Sequence, residues 1–349
     1  MKTIRSRFFA LAALSLLLAA GVAIAAQSST AYHLLKRIPI PGSGGWDYVA
    51  ADSPARRLYV SHDTEIVVID LDSLEVVGKI TGGPDMHGAA FAPEINRGFI
   101  SVSNPGSVVI FDLKTLAKIS EVRVGDDPNG IIYDRFTKRV FTADRGSKRV
   151  TAIDAQTGKI AGTIENLGGR TEHLASDEAG HVFLNMQDRN TTLKLDAQNL
   201  KLLETWPTAP CEAPSSMDMD RAHSRIIIGC RGAGMMAAMD AASGKIVYSH
   251  AIGAGVDAAE FDPKTGLAYF STGADGVLWI FSEKTPDQFE LVQKVPTLAG
   301  ARTMAVDRIT GRIFVAGAEL GPRPAPTPEN PRGRPPVLPG TFSVLEIGK

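Results

Sequence analysis

Seven polar residues recur at near-constant intervals along this chain. They are Asp47, His87, Asn129, Glu172, Ser215, Asp257 and Arg302, spaced 40, 42, 43, 43, 42 and 45 residues apart. Carboxylates and imidazoles are the side chains that hold divalent cations. Asp47, His87, Glu172 and Asp257 are therefore candidate metal ligands, for zinc if the imidazole takes part. The oxygen donors of Asp47, Asn129, Glu172 and Asp257 would suit calcium or magnesium instead. With a metal in place, Glu172 or Asp257 could act as the general base of a hydrolysis. Without one, the seven residues and the neighbouring His173 form a polar funnel for a small ligand or a partner protein. Arg302 would then balance the carboxylates or pair with a ligand carboxylate.

The sequence favours binding over catalysis. It holds no His-x-His or His-Glu-x-x-His pair and no Gly-x-Ser-x-Gly elbow for a serine nucleophile. Glu172 and His173 are adjacent, and strand neighbours point to opposite faces, so a working Glu–His pair is not expected. No cofactor is indicated beyond a possible calcium, magnesium or zinc ion.

The elements that position these residues follow from a second periodicity. A turn residue precedes each apolar run at Asp52, Ala92, Asp134, Asp177, Asp220, Asp262 and Asp307, in phase with the polar set. An aspartate closes another apolar run at Asp70, Asp112, Asp154, Asp196 and Asp240, spaced 42, 42, 42 and 44. Between these landmarks lie short runs rich in β-branched and aromatic residues, punctuated by Gly, Asp, Asn and Thr, with no helical periodicity. Four strands every 42 or so residues is the period of a propeller blade. Seven units predict an all-β, seven-bladed β-propeller of four-stranded blades. The last unit lacks a fourth strand, and YHLLKRIPIPG at 32–42 has no blade before it. The N-terminal strand should therefore complete blade seven and close the ring, hiding the sheet edges.

In this architecture the seven polar residues begin the innermost strands and ring one mouth of the central channel. The ends of the second strands (His62 and Asp63, Asp144 and Arg145, Asp188 and Arg189, Arg231) should rim the same mouth. Two residues further on, Val49, Ala89, Ile131, Leu174, Met217, Ala259 and Met304 predict an apolar layer beneath it. His181 and His223 fall in turns on the opposite face and read as solvated. His250 falls in a fourth strand.

The second strands carry a family likeness. Tyr59-Val60-Ser61-His62 within RRLYVSH (56–62), the related KRVFTAD (138–144) and GRIFVAG (311–317), and the Asp-x-x-Thr-Gly-Lys turn at 154–159 resemble the YVTN-repeat β-propellers. The likeness spans essentially the whole chain after its leader. It implies the propeller fold and an exported, periplasmic or surface setting. Related propellers act as lactonases or redox-enzyme subunits. The competing readings are therefore a metal-dependent hydrolase of lactonase type and an accessory subunit of a redox or cell-envelope complex. No catalytic residue of those proteins maps onto this sequence.

Compartment and partners complete the reading. Lys2, Arg5 and Arg7 precede an apolar run ending at Ala23-Ile24-Ala25, so residues 1–25 read as a cleaved signal peptide and 26–349 as a single domain. Loss of the leader takes the net charge from −1 to −4, because three positive charges leave with it. A periplasmic or secreted protein without a membrane span follows. It is expected to be a monomer whose partner is a small molecule or a periplasmic or cell-envelope protein. Net negative charge and 7% aromatic residues argue against a nucleic-acid partner. Export also permits Cys211 and Cys230, the only cysteines, to form a disulfide. Residues 319–340 hold eight prolines in twenty-two positions, between the second and third strands of blade seven. That stretch is expected to be an extended lid over the mouth, presenting Arg323, Arg332 and Arg334.

Overall fold

The computed structural model describes residues 31–42, 45–327, 333 and 335–349. The expected signal peptide lies outside the described residues, as do Arg332 and Arg334. The described chain folds into seven four-stranded antiparallel sheets. Blade 1 is representative, with strands Val49–Asp52, Arg57–His62, Glu65–Asp70 and Val76–Thr81 from the channel outward. Blade 7 is built as the sequence predicts. Its order is Thr303–Asp307, Arg312–Gly317, Ser343–Gly348 and then His33–Pro39, which pairs with Ser343–Gly348 in antiparallel register.

The recurring aspartates have a local cause. Asp70 Oδ1 accepts hydrogen bonds from the backbone N–H groups of Asp72 and Ser73, at 3.0 and 2.7 Å. Asp112, Asp154, Asp196 and Asp240 cap the equivalent turns in blades 2 to 5. An aspartate followed by Ser, Thr or Asn three residues later thus closes the hairpin between the third and fourth strands.

The core is divided among the blade interfaces. Each of seven apolar clusters among the described residues joins neighbouring sheets, such as Phe141, Leu184 and Leu193 between blades 3 and 4. The cluster closing the ring joins Ile38, Ile40 and Trp46 to Val60, Phe314, Phe342 and Val344. Nearer the channel, hydroxyls of the second strands tie blades together through backbone carbonyls. Ser101 donates to the Asn129 carbonyl at 2.6 Å, and Ser271 donates to that of Arg302.

Cys211 and Cys230 are bonded, with Cα atoms 5.2 Å apart and both side chains fully buried. The bridge fixes the loop leading into blade 5 against the end of that blade's second strand, as the sequence predicts.

The described part of the proline-rich insertion packs its base into the seam between blades 7 and 1. Leu320 and Val337 form a bridge pair and contact the cluster of Trp46 and Phe342. Glu319 pairs with Arg37 on the outermost strand at 3.4 Å. Arg323 donates to the Gly333 carbonyl inside the insertion, at 3.2 Å.

Candidate functional site at the channel mouth

The seven-residue polar set is delivered to the channel by a backbone irregularity. In blades 2 to 6 the inner strand carries one extra residue relative to its partner, at 86–89, 128–131, 171–174, 214–216 and 256–258. His87, Asn129, Glu172, Ser215 and Asp257 all lie inside these bulges. A bulge breaks strict alternation and re-aims the side chain. In blades 1 and 7, Asp47 and Arg302 lie two residues and one residue before the inner strand. Glu172 and His173 share the bulge of blade 4, and no hydrogen bond joins them, in keeping with the expectation that they do not act as a pair.

On the side of blades 1 to 3 the polar groups form a continuous hydrogen-bonded arc. His87 Nδ1 lies 2.5 Å from Asp47 Oδ2, and its Nε2 lies 2.8 Å from Ser103 Oγ. The Ser103 hydroxyl is also 2.6 Å from Asp127 Oδ1, and Asp127 is gripped by Arg145 at 3.0 and 2.8 Å. Asn129 donates to Asp47 at 3.3 Å and accepts from the Tyr48 hydroxyl at 2.9 Å. Burial alone would raise the Asp47 pKa. The hydrogen bond and charge of His87, helped by Arg302 and Arg145, reverse this and hold it at about 2.

On the side of blades 4 to 7, guanidinium groups cover carboxylates. Arg231 and Arg302 both engage Asp257, at 2.9 and 3.2 Å. Arg302 also stacks over the Trp46 ring at 4.7 Å and donates to the Trp46 carbonyl. Arg170 lies 3.3 Å from Glu172. The cations are the outward partners, since the side chains of Arg231 and Arg170 are 40% and 37% exposed while those of Asp257 and Glu172 are 12% and 8%. On the other side the order reverses, and Asp127 is 42% exposed against 17% for Arg145. The mouth is therefore polarised, cationic along blades 4 to 7 and anionic along blades 1 to 3.

Glu172 is the titrating group of this mouth. Burial pushes its pKa from 4.5 up to about 7, outweighing Arg170 and Arg145. The folded state therefore keeps this proton to higher pH than the unfolded chain. Its contribution is present below pH 4.5 and is lost as pH rises to about 7, roughly 3 kcal/mol in full. Asp47 acts with the opposite sign, adding stability above 3.8 that is lost as pH falls through about 2. Denaturant unfolding of wild type and Glu172→Gln at pH 5 and pH 8 checks the first statement. The variant should decline less than wild type, the remainder belonging to Glu260, which burial also pushes up, and parallel profiles would show that Glu172 is already ionised at pH 5.

Tyr48 reaches from blade 1 to Asn129 and packs edge-on against His173, ring centres 5.4 Å apart. Burial pushes the His173 pKa down to about 4, so this imidazole is neutral at ordinary pH. Beneath lies a cavity of about 510 Å³ lined by Val49, Ala89, Ile131, Ala259 and Met304 among others. These are residues of the expected apolar layer. At the far end Arg308 of blade 7 bridges Asp218 and Glu260, at 2.9 and 3.6 Å.

Other expected members go elsewhere. Ser215 is buried and donates to the Val256 carbonyl at 2.9 Å, tying blade 5 to blade 6. His62 is buried and stacks on Phe342 at 4.7 Å, away from the rim, because the closing seam supplies an aromatic partner. Asp144 is fully buried and saturated by Thr142, Thr151 and the Gly125 N–H. His223 is not a free turn residue. Its Nδ1 lies 2.6 Å from Asp220, on the opposite face. Asp47 and His87 pair with each other, Glu172 is held by Arg170 and Asp257 by Arg231 and Arg302, and among the described residues the one group with metal-ligand spacing is Asp220, His223 and Glu283. Ser103 and Asp127 escaped the sequence reading because neither belongs to the seven-residue polar set, and tertiary proximity to His87 singles them out.

Fold and mouth together define a seven-bladed β-propeller with a polarised channel opening. The chain belongs to the family described as a domain of unknown function, DUF5074, whose model matches residues 53–275. No curated protein matches it in sequence. Among solved structures it resembles U3-55K, at 10% identity and TM-score 0.76, covering 90% of this chain and 98% of that one. It also resembles the RRP9 WD40 repeats, at 8% identity and TM-score 0.74, covering 90% and 97%. Hydrazine synthase of Kuenenia stuttgartiensis is similar at 14% identity and TM-score 0.68, covering 80% and 94%. Identities this low show a shared fold alone.

Proposed function

We propose that this protein is an exported, YVTN-like binding propeller whose mouth receives a small molecule bearing a carboxylate or similar anion at one end and a hydrogen-bond donor or cation at the other. One observation carries the reading, the polarity of the mouth. Outward guanidinium groups of Arg170, Arg231 and Arg302 line one side, and the carboxylates of Asp47 and Asp127 line the other. Guanidinium groups favour planar anions, and the facing carboxylates favour an ammonium or amide donor. Export is supported by the leader and by a disulfide suited to an oxidising compartment.

The test is calorimetry against amino acids and dipeptides, with their amidated and N-acetylated analogues as controls. Free zwitterions should bind, and blocking either end should weaken binding. Arg231→Ala should weaken carboxylate-bearing probes selectively. Equal heats for blocked and free probes, or none at all, would remove the proposal.

A second reading rests on the Asp47–His87–Ser103 relay. Its contacts of 2.5 and 2.8 Å match the order carboxylate, imidazole, hydroxyl of a serine hydrolase. In that reading the Ser103 hydroxyl, which here donates to Asp127 at 2.6 Å, would turn to His87 and attack an ester or lactone without a metal, His87 taking its proton. Ser103→Ala separates the two readings. It should abolish turnover of ester or lactone probes if Ser103 is the nucleophile, and leave zwitterion binding in place otherwise.

A further inference from the structure

The face opposite the mouth holds a constellation that the binding reading does not use. Asp220 ends the inner strand of blade 5, His223 lies in the turn after it, and Glu283 lies on the third strand of blade 6. One ligand atom from each lies within 4.8 Å of the other two. His223 Nδ1 is 2.6 Å from Asp220 Oδ2 and 3.5 Å from Glu283 Oε1.

Comparison with the other blades shows what is unusual here. At the position of His223, blades 3, 6 and 7 carry Thr137, Thr265 and Thr310, whose hydroxyls satisfy the preceding aspartate at 2.5, 2.7 and 2.6 Å. Where a neighbouring blade reaches such an aspartate it brings a donor or a cation. Ser176 of blade 4 donates to Asp134 at 2.5 Å, and Arg56 of blade 1 pairs with Asp307 at 2.8 Å. In blade 5 the neighbour instead brings Glu283, a second carboxylate. Its side chain is 8% exposed, and Oε1 has no hydrogen-bond partner although it points into the cluster. Asp220 is buried as well, at 1%. The nearby Arg225 is committed to Asp240 and Asp287, both at 2.7 Å. Two buried carboxylates facing each other need either a shared proton or a cation between them.

We infer that Asp220, His223 and Glu283 form a binding site for a divalent first-row transition ion, such as zinc, that clips blade 5 to blade 6. Two carboxylate oxygens and one imidazole nitrogen are a donor set for zinc, manganese or iron(II), and nitrogen disfavours calcium. Ligand atoms within 4.8 Å of one another need only small side-chain shifts to share one ion at bonds of about 2.0–2.2 Å. His223 is half exposed, so the remaining coordination positions open to water. The site is separate from the mouth and does not depend on the binding reading.

The experiment titrates the full chain, stripped with chelator, with zinc chloride alone. Wild type should bind one equivalent at this site. At a free zinc concentration of 100 Kd the folded-to-unfolded ratio should rise about a hundredfold. His223→Ala and Glu283→Gln should each weaken binding at least tenfold, while His87→Ala and Glu172→Gln leave it unchanged. Glu283→Gln keeps the shape and removes a buried charge, so its metal-free form should be at least as stable as metal-free wild type. Zinc affinity unaltered by His223→Ala and Glu283→Gln, or lost with His87→Ala, would overturn the assignment. So would the absence of zinc binding to wild type.

Discussion

A chain lacking residues 31–40 should lose most of its stability, or fail to fold. The strand His33–Pro39 is the outermost strand of the blade that also holds the C-terminal strand, so it acts as the clasp of the ring. Its removal strips one of two partners from Ser343–Gly348 and leaves that edge open. It also withdraws three buried side chains, Tyr32, Ile38 and Ile40, of which Ile38 and Ile40 belong to the cluster closing blade 7 onto blade 1. Tyr32 links blade 7 to blade 6, exchanging two backbone hydrogen bonds with the Gln293 amide at 2.9 and 2.6 Å. At about 1.5–3 kcal/mol per buried side chain, the apolar loss alone approaches the 5–15 kcal/mol that holds a typical domain folded. Thermal unfolding of the truncated chain measures this, and a synthetic peptide of residues 31–40 should restore part of the lost Tm by pairing in trans. A truncated chain that melts with wild type would show that the ring holds without its clasp.

Replacing Cys211 and Cys230 together by serine should cost about 3 kcal/mol, the value expected for opening a loop of this length. The two cysteines are 19 residues apart and fully buried, so the serine hydroxyls would add a desolvation cost. Denaturant unfolding of the oxidised protein, the reduced protein and the double variant separates the two contributions. A consequence at the mouth should accompany the loss. The loop held by Cys211 accepts the Arg231 and Gly232 N–H groups at the Ala213 and Glu212 carbonyls, both at 3.0 Å. Arg231 is a guanidinium of the cationic side, so the variant should bind anionic probes more weakly than its lost stability alone explains. Unchanged stability in both reduced protein and double variant would mean that the loop is held by its other contacts.

Architecture was legible because it is written in local chemistry that repeats. The Asp-x-x-Ser/Thr turns announce hairpins, and alternating β-branched runs announce strands. Their common interval gives the blade count and, through the unmatched segment at 32–42, the closure. The cysteine pairing followed from compartment and from placing both residues on one blade. Candidate site residues were legible only as a register. That register located Asp47, His87, Asn129, Glu172, Asp257 and Arg302 at the mouth, and it included Ser215, which faces a backbone carbonyl instead.

The tertiary structure alone decided which of these groups meet. A one-residue bulge turns His87 toward Asp47 and Ser103, and strand periodicity cannot announce a bulge because it is a break in that period. Whether a carboxylate is a ligand, a base or the buried half of an ion pair depends on which guanidinium arrives from a neighbouring blade. Arg231 on Asp257 and Glu283 beside Asp220 are contacts between residues 26 and 63 positions apart. The sequence specifies each blade through short-range turns and pairings, and so determined the ring. The chemistry lies at the junctions between blades, where long-range packing sets distance, burial and charge, and there only the folded ring decides.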